Sequence, residues 1–249
     1  MADVAVAAPG KPIWVDLGTP DVEASIKFYG ELFGWTADQE VEGFGGYRVL
    51  RKDGKQVAGV APLMSEQQPP AWMVYIQSDD AKATSEKVKQ AGGNVLVEPM
   101  EVGDTGSMAV YQDSTGAAIG VWQPNTMKGS ELYDQPGSMS YSELYTGDVD
   151  KAKQFYKQVF GWDSKTDDLG GQPYTMFSLG GQSITGTTQT DNMPANWHEY
   201  FAVADCKQST EKAKQLGAKV MVDCTEIPAG IFSIVSDPNG AVFGLIQNK

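Results

Sequence analysis

The stretch WVDLGTPDVEASIKFYGELFGW, residues 14–35, returns in the same chain as YSELYTGDVDKAKQFYKQVFGW, residues 141–162. Each copy begins with alternating apolar residues, which predict a strand, and continues with apolar residues at the spacing of one helix face. An aspartate stands before each predicted helix and a glycine after it, as is typical of helix caps. The chain therefore uses one strand–helix unit at least twice.

Two further segments repeat at nearly the same distance. Residues 69–93 match residues 194–218, and residues 111–123 match residues 235–247. We therefore predict one duplicated domain, with a first copy over 11–124 and a second over 138–249. Residues 125–137 are polar and bounded by proline and glycine, which indicates a linker.

Each half also contains two smaller units. A strand, a helix and three more strands are predicted at about 12–64, 70–124, 139–188 and 195–247, with Asp53 and Gly54 in a hairpin turn. The tryptophans that follow two of the helices, Trp35 and Trp162, are expected in the core. Asp113 and Asp237 are expected in turns. The predicted fold class is α+β, with four βαβββ units.

Charge and composition exclude several functions. The formal net charge is -13, with 32 acidic and 19 basic residues, which argues against nucleic acid and membrane surfaces as partners. No apolar run is long enough to span a bilayer, no signal peptide is evident, and the two cysteines do not form a CxxC pair, so we expect a cytoplasmic protein with inert cysteines. Because there is one histidine, His198, a histidine-rich metal centre is excluded.

The motifs resemble a known family. The pattern D-V-x-x-(S/A)-x-x-F-Y, the closing D-P-N-G-x-x-x-G and the four βαβββ units are similar to the vicinal oxygen chelate superfamily, which includes glyoxalase I, bleomycin-resistance proteins and extradiol dioxygenases. The FYxxxFGW segments resemble tandem glyoxalase-like proteins of bacteria. The resemblance covers nearly the whole chain and implies two tandem glyoxalase-like domains, in which paired units form half-open barrels around a small-molecule cavity.

The resemblance also implies where a metal would be held. The corresponding positions are occupied by Trp14, Met73, Tyr141, His198, Gly120 and Gly244. Only His198 among them could bind a metal, and one imidazole cannot hold a divalent ion. We therefore expect neither a metal nor another cofactor.

Strand alternation predicts which side chains line the cavities. In the first half these are Trp14, Asp16 and Trp122; in the second they are Tyr141, Glu143, Tyr145, His198 and Tyr200, while Glu199 is expected to face out. Gly120 and Gly244 are expected to leave room for a flat group. The aromatic residues could instead simply fill the barrel, and a shift of one residue would place Asp16 and Glu143 in solvent.

Three functions remain open from the sequence. The leading hypothesis is a monomer that binds a small, partly aromatic organic molecule without metal. The alternative is a lyase, isomerase or hydroxylase in which Glu143 and His198 act as an acid–base pair. Glu143 could bond His198 if units three and four pair, whereas His198 would face Asp16 if units pair across the halves. The third hypothesis is an interaction protein with packed barrels.

Overall fold

The computed structural model describes residues 8–65, 67–169, 171–191 and 193–249. Each predicted unit contains one helix, and each helix begins after an aspartate whose side chain accepts a hydrogen bond from the first turn. The helices are α1 Val22–Phe33, α2 Ala81–Gln90, α3 Val149–Phe160 and α4 Cys206–Gln215. Gly34 and Gly161 end α1 and α3 in the left-handed conformation, at φ 77° and 76°, which explains why glycine occupies both positions.

The strands follow the same repeat. The first half contains β1 Pro12–Thr19, β2 Thr36–Ala37, β3 Arg48–Lys52, β4 Lys55–Pro62, β5 Ala71–Gln77, β6 Asn94–Val102, β7 Gly106–Gln112 and β8 Ala118–Pro124. The second half contains β9 Met139–Thr146, β10 Asp163–Asp168, β11 Pro173–Leu179, β12 Gln182–Gln189, β13 Asn196–Ala202, β14 Lys219–Ile227, β15 Gly230–Ser236 and β16 Val242–Asn248.

The strands form one eight-stranded sheet in each half. Their orders are β2-β3-β4-β1-β5-β8-β7-β6 and β10-β11-β12-β9-β13-β16-β15-β14. The first strands of the two units in each half, β1 with β5 and β9 with β13, pair antiparallel at the centre. Units therefore pair within a half and not across the halves. The predicted α+β fold is confirmed, and both sheets remain open because their outermost strands have no further neighbour among the described residues.

One hydrophobic core joins the two halves. It includes Val15 and Leu17 of β1, Leu144 of β9 and the aromatic residues of α1 and α3. Trp35 and Trp162 belong to it, as predicted. We call the side of each sheet that packs on this core the core face, and the opposite side the site face. Smaller apolar clusters lie on the site faces, around Trp14, Tyr75 and Trp122 in the first half and around Tyr200 in the second.

The prediction that Glu199 faces solvent is wrong. Glu199 lies on the opposite side of β13 from His198, as alternation requires, but that side is the core face, and Glu199 is 0% exposed. The hydroxyl of Ser142 donates to Glu199 Oε2 at 2.6 Å, and Oε1 has no partner among the described residues. Burial raises the pKa of this carboxyl well above its usual range.

None of the helices in the described ranges is long and apolar enough to cross a membrane.

Candidate functional site

Cross-strand register brings the candidate site residues of the second half together. Glu143 of β9 lies directly opposite His198 of β13, and Tyr141 lies opposite Tyr200. Tyr145, two positions after Glu143, lies on the same face. The tertiary structure thus decides between the two arrangements that the sequence left open, and it places Glu143 beside His198.

A group of tyrosines surrounds Glu143. The Tyr200 hydroxyl donates to Glu143 Oε2 at 3.0 Å, and the Tyr145 and Tyr200 hydroxyls are 3.0 Å apart. The Tyr174 hydroxyl contacts that of Tyr141 at 2.9 Å. Burial raises the pKa of Glu143, and hydrogen bonds from Tyr200, Tyr145 and Tyr174 oppose the shift only in part. The carboxyl is therefore more readily protonated near neutral pH than an exposed glutamate.

His198 contacts this group through its ring. The imidazole packs on Tyr145 with the ring centroids 4.5 Å apart and the planes inclined by 37°. Its Nδ1 is buried without a hydrogen-bond partner among the residues that the structure describes, and only 8% of the residue is exposed. Burial lowers the pKa of His198 to about 4, so the ring is neutral at pH 7.

Glu143 and His198 are neighbours without a hydrogen bond between them in the described part of the chain. The carboxyl receives its bond from Tyr200, and the imidazole keeps an unpaired nitrogen. A buried polar atom without a partner is costly, so such an atom in a native structure points to a missing water or ligand. The pair can offer a bound molecule one carboxyl group and one free imidazole nitrogen.

The first half repeats this arrangement with different residues. Asp16 lies opposite Met73, and Trp14 lies opposite Tyr75. Trp14 Nε1 donates to the Tyr47 hydroxyl at 2.9 Å. Burial of its carboxyl raises the pKa of Asp16 to about 7, and the Tyr75 hydroxyl opposes the shift. This site therefore has a carboxyl and tyrosines, but a thioether in the place of the imidazole.

Trp122, the third residue predicted for the first site, is 7% exposed and packs in the same cluster as Trp14 and Tyr75. Its indole nitrogen donates to the Met127 carbonyl at 2.9 Å. The ring is thus held by the segment that follows β8, and it contributes an apolar wall to the site.

Tyrosine rings occupy the space beside Gly120 and Gly244. A Cβ added to Gly120 would lie 2.7 Å from Tyr75 Cγ, and one added to Gly244 would lie 2.6 Å from Tyr200 Cγ. Both distances are too short for real atoms, so each ring occupies the space that a side chain at the glycine would need. The glycines do leave room for a flat group, as predicted, but the groups that fill it are the protein's own tyrosine rings.

The residues present do not fit the metal centre that the resemblance implies. Gly120 and Gly244 have no side chain, and the tyrosine rings fill the places where ligand side chains would extend. No group of three or more His, Cys, Asp or Glu residues within the described segments could hold a metal ion. In the second half, the tyrosine from this place bonds the site carboxyl instead.

Sequence reasoning missed three tyrosines of these sites: Tyr47, Tyr75 and Tyr174. The repeat contained a signal for each. Tyr47 and Tyr174 have the same separation as the two FGW segments, and Tyr75 matches Tyr200 within the second repeated block. Comparing the halves position by position would have identified them, because residues that match across a duplication occupy matching places.

Neither of two surface depressions is lined by a candidate site residue. These depressions, of about 350 and 390 Å³, are lined by other parts of the chain, including Lys157 in both cases. On the second site face, a molecule would meet the half-buried Tyr141, Tyr145 and Tyr174 before it reached Glu143.

Comparison with known protein families gives two matches. Residues 11–121 match the model described as Glyoxalase/Bleomycin resistance protein/Dioxygenase superfamily. Residues 143–246 match the model described as Glyoxalase-like domain.

Curated relatives match over nearly the whole chain. A Mycobacterium bovis protein named "Putative glyoxylase CFP32" is 38% identical over 247 residues, covering 96% of this chain and 95% of the relative. The anthracycline biosynthesis protein DnrV of Streptomyces peucetius is 37% identical over 258 residues, covering 96% of this chain and 94% of the relative.

Solved structures share the fold at low identity. The Mn(II)-bound glyoxalase from Novosphingobium aromaticivorans has a TM-score of 0.70 at 17% identity and covers 96% of this chain and 82% of its own. The 2,3-dioxygenase LapB from Pseudomonas sp. KL28 has a TM-score of 0.69 at 12% identity, with coverages of 98% and 94%. At these identities the likeness shows the fold alone.

Proposed function

The chain belongs to the glyoxalase, bleomycin resistance protein and dioxygenase superfamily, and we propose that its second site face binds a small, partly aromatic organic molecule without a metal ion. The observation that carries this proposal is the unpaired Nδ1 of His198, which is buried beside the carboxyl of Glu143. A ligand that donates a hydrogen bond to this nitrogen would remove the cost of leaving it unpaired.

The surrounding rings support an aromatic ligand. Tyr145 is half-buried and already packs on the His198 ring, so its exposed part can stack on a planar group. The hydroxyls of Tyr141 and Tyr174 contact each other and can bond polar substituents of the ligand. An apolar surface with a few directed polar groups is the usual composition of a small-molecule site.

The names of two relatives agree with this ligand class. DnrV and DauV are both named anthracycline biosynthesis proteins. Anthracyclines are planar, hydroxylated aromatic compounds, which combine the ring and the hydrogen-bond donors that the second site face would recognise.

We propose that the site face of the first half binds the same class of molecule with lower affinity. Trp14, Asp16 and Trp122 line it, but Met73 stands where the second half has His198, so a ligand loses one hydrogen-bond partner. The Trp14 indole nitrogen is also already bonded to Tyr47.

Calorimetric titration of the purified chain with 1,4-dihydroxyanthraquinone and with catechol tests the proposal. We expect saturable binding of at least one of these probes, weakened about tenfold or more in Glu143→Gln, which replaces one carboxyl oxygen by a donating amide, and in His198→Met, which removes the imidazole nitrogen. Asp16→Asn, the matched change in the first half, should leave the dissociation constant of the tighter site unchanged. Absence of saturable binding of both probes would favour the packed interaction protein instead.

The acid–base alternative rests on the direct placement of Glu143 opposite His198. Burial lowers the pKa of His198 to about 4, so its imidazole is neutral at pH 7, and burial raises the pKa of Glu143, so its carboxyl holds a proton more readily than an exposed one; the pair could pass a proton through a bound molecule. Nuclear magnetic resonance of the probes in D₂O would detect this as deuterium incorporation at their carbon atoms, since their hydroxyl protons exchange without a catalyst. Exchange that disappears in both Glu143→Gln and His198→Ala supports an enzyme, and binding without exchange supports a binding protein.

A further inference from the structure

Two cysteines of the second half lie side by side where α4 begins. Cys206 Sγ and Cys224 Sγ are 3.5 Å apart, and both thiols are free. Cys206 is the first residue of α4, and Cys224 lies in β14, which is the last strand of the second sheet. A disulfide needs its sulfurs about 2.05 Å apart, so a movement of roughly 1.5 Å would join them.

The backbone around Cys224 has the freedom for such a movement. The β14–β15 ladder pairs Val222 with Ile234 and Thr225 with Phe232, and the register shifts between these pairs. Cys224 lies within this bulge, and its N–H donates to the Asp223 carboxylate instead of a ladder partner. A bulge interrupts the hydrogen-bonded ladder, so this residue can shift without breaking strand pairing.

The two thiols differ in accessibility. Cys224 is half-buried, so a small oxidant in solvent can reach it. Cys206 is fully buried, and burial and the contact with Cys224 raise its pKa to about 11. A peroxide in solvent therefore oxidises this thiol only slowly. Cys224 is therefore the sulfur that reacts first, and Cys206 is the neighbour that can resolve the product.

We propose that Cys206 and Cys224 form a redox-sensitive dithiol that closes to a disulfide when the protein meets a peroxide. The Cys224 sulfur attacks the peroxide, the O–O bond breaks, and Cys224 becomes a sulfenic acid while the peroxide leaves as water or an alcohol. The Cys206 sulfur then attacks the sulfenic sulfur, the S–S bond forms and water leaves. The two thiols supply both electrons and both protons.

The first half contains an internal comparison. The positions that match Cys206 and Cys224 hold Ala81 and Pro99. The backbone is similar there, since Ser85 donates to the Ala81 carbonyl as Thr210 donates to that of Cys206, and β6 carries a bulge between Val97 and Met100. The fold therefore does not require the cysteine pair, and oxidation would tie only α4 to β14.

Treatment of the reduced, full-length protein with hydrogen peroxide tests the proposal. We expect about one equivalent to remove two hydrogen atoms from the intact mass and to yield a linked Cys206–Cys224 peptide. The thermal unfolding midpoint should rise by a few degrees, because the crosslink restricts the unfolded chain, and dithiothreitol should reverse the rise. Cys206→Ala, which copies the first half, and Cys224→Ser should show neither the linked peptide nor the rise.

Three results would overturn the proposal. One is that both thiols remain free to alkylation after peroxide treatment. Another is that wild-type Cys224 proceeds to sulfinic acid with no linked peptide. The third is that the linked peptide forms only after denaturation, which would mean that the folded chain holds the sulfurs apart. None of these measurements depends on a ligand of the site face, so the dithiol and the proposed binding function can fail separately.

Discussion

The Tyr29 hydroxyl donates a hydrogen bond to Asp237 Oδ2 at 2.9 Å, although the two residues belong to different halves of the chain. Tyr156 makes the matching bond to Asp113 at 2.8 Å. The tyrosine of each FY segment thus bonds the turn aspartate of the other half. The two motifs that repeat in this chain therefore link its halves through two matching hydrogen bonds.

The tyrosine hydroxyl of each of these hydrogen bonds also accepts a hydrogen bond from a tryptophan indole. Trp72 Nε1 donates to the Tyr29 hydroxyl at 3.1 Å. Oδ1 of Asp237 accepts from the N–H groups of Asn239 and Ala241, so this aspartate also closes its own turn, as predicted. The tyrosine hydroxyl therefore connects a buried donor with a buried acceptor, and both lose their partner if it is removed.

We predict that Tyr29→Phe lowers the free energy of unfolding by about 1–3 kcal/mol, because the Asp237 oxygen and the Trp72 nitrogen would be buried without a partner. Urea denaturation of both proteins measures the difference. Tyr133→Phe is the control, since Tyr133 is 38% exposed. Equal stability of Tyr29→Phe and the wild type would mean that the Tyr29–Asp237 hydrogen bond contributes nothing to the free energy of unfolding.

The packing of Tyr200 on Gly244 yields a second prediction. Gly244→Ala should lower the free energy of unfolding by about 1–3 kcal/mol, since the new methyl group overlaps the ring. Adding Tyr200→Ala should make the glycine change nearly neutral, because the ring is then absent. Gly147→Ala is the matched control, since its Cβ would lie 3.5 Å from the nearest atom, the Thr190 carbonyl oxygen. If Gly244→Ala still costs as much beside Tyr200→Ala, the backbone rather than the ring requires the glycine.

Stability should fall as the pH rises from about 4 to above 7. Burial raises the pKa values of Asp16, Glu143, Glu199 and Asp237, that of Asp16 from 3.8 to about 7. In this range the folded chain keeps protons that the unfolded chain releases, so each carboxyl loses stabilisation as the pH rises. His198 acts in the opposite sense, because its pKa is lowered from 6.5 to about 4, but it is a single group.

Thermal unfolding midpoints measured across this pH range check the sign. Glu199→Gln cannot ionise, so its midpoint should decrease less with pH than that of the wild type. A midpoint that increases steadily over the same range would show that these carboxyls are ionised in the folded protein.

The buried pair of Ser142 and Glu199 leads to a fourth prediction. Ser142→Ala alone should destabilise the protein by about 1–3 kcal/mol, because it removes the hydroxyl that bonds Glu199 Oε2. Ser142→Ala combined with Glu199→Met should recover that loss or exceed it, since both polar partners are replaced by apolar groups. The matching positions of the first half, Val15 and Val74, are apolar and fully buried. Denaturation curves of the two variants decide this, and a double variant less stable than Ser142→Ala would show that the carboxyl itself is needed.

The sequence by itself determined what depends on neighbours along the chain. Alternation along strands, the aspartate before each helix and the glycine after α1 and α3 are local requirements of backbone geometry, so the four units and their order could be predicted. Duplication strengthened each signal by repeating it. Their position directly after a helix also predicted that Trp35 and Trp162 lie in the core, because burying so large an apolar ring is favourable.

Only the tertiary structure decided what depends on residues far apart in the sequence. Which units pair determines whether His198 meets Glu143 or Asp16, and local patterns do not encode that choice. Alternation placed Glu199 on the correct side of β13, but whether that side meets water depends on what the other half covers. The contact between the Tyr200 ring and Gly244 likewise joins two strands that are adjacent only after folding. The glycine alone therefore could not indicate which group fills the space beside it.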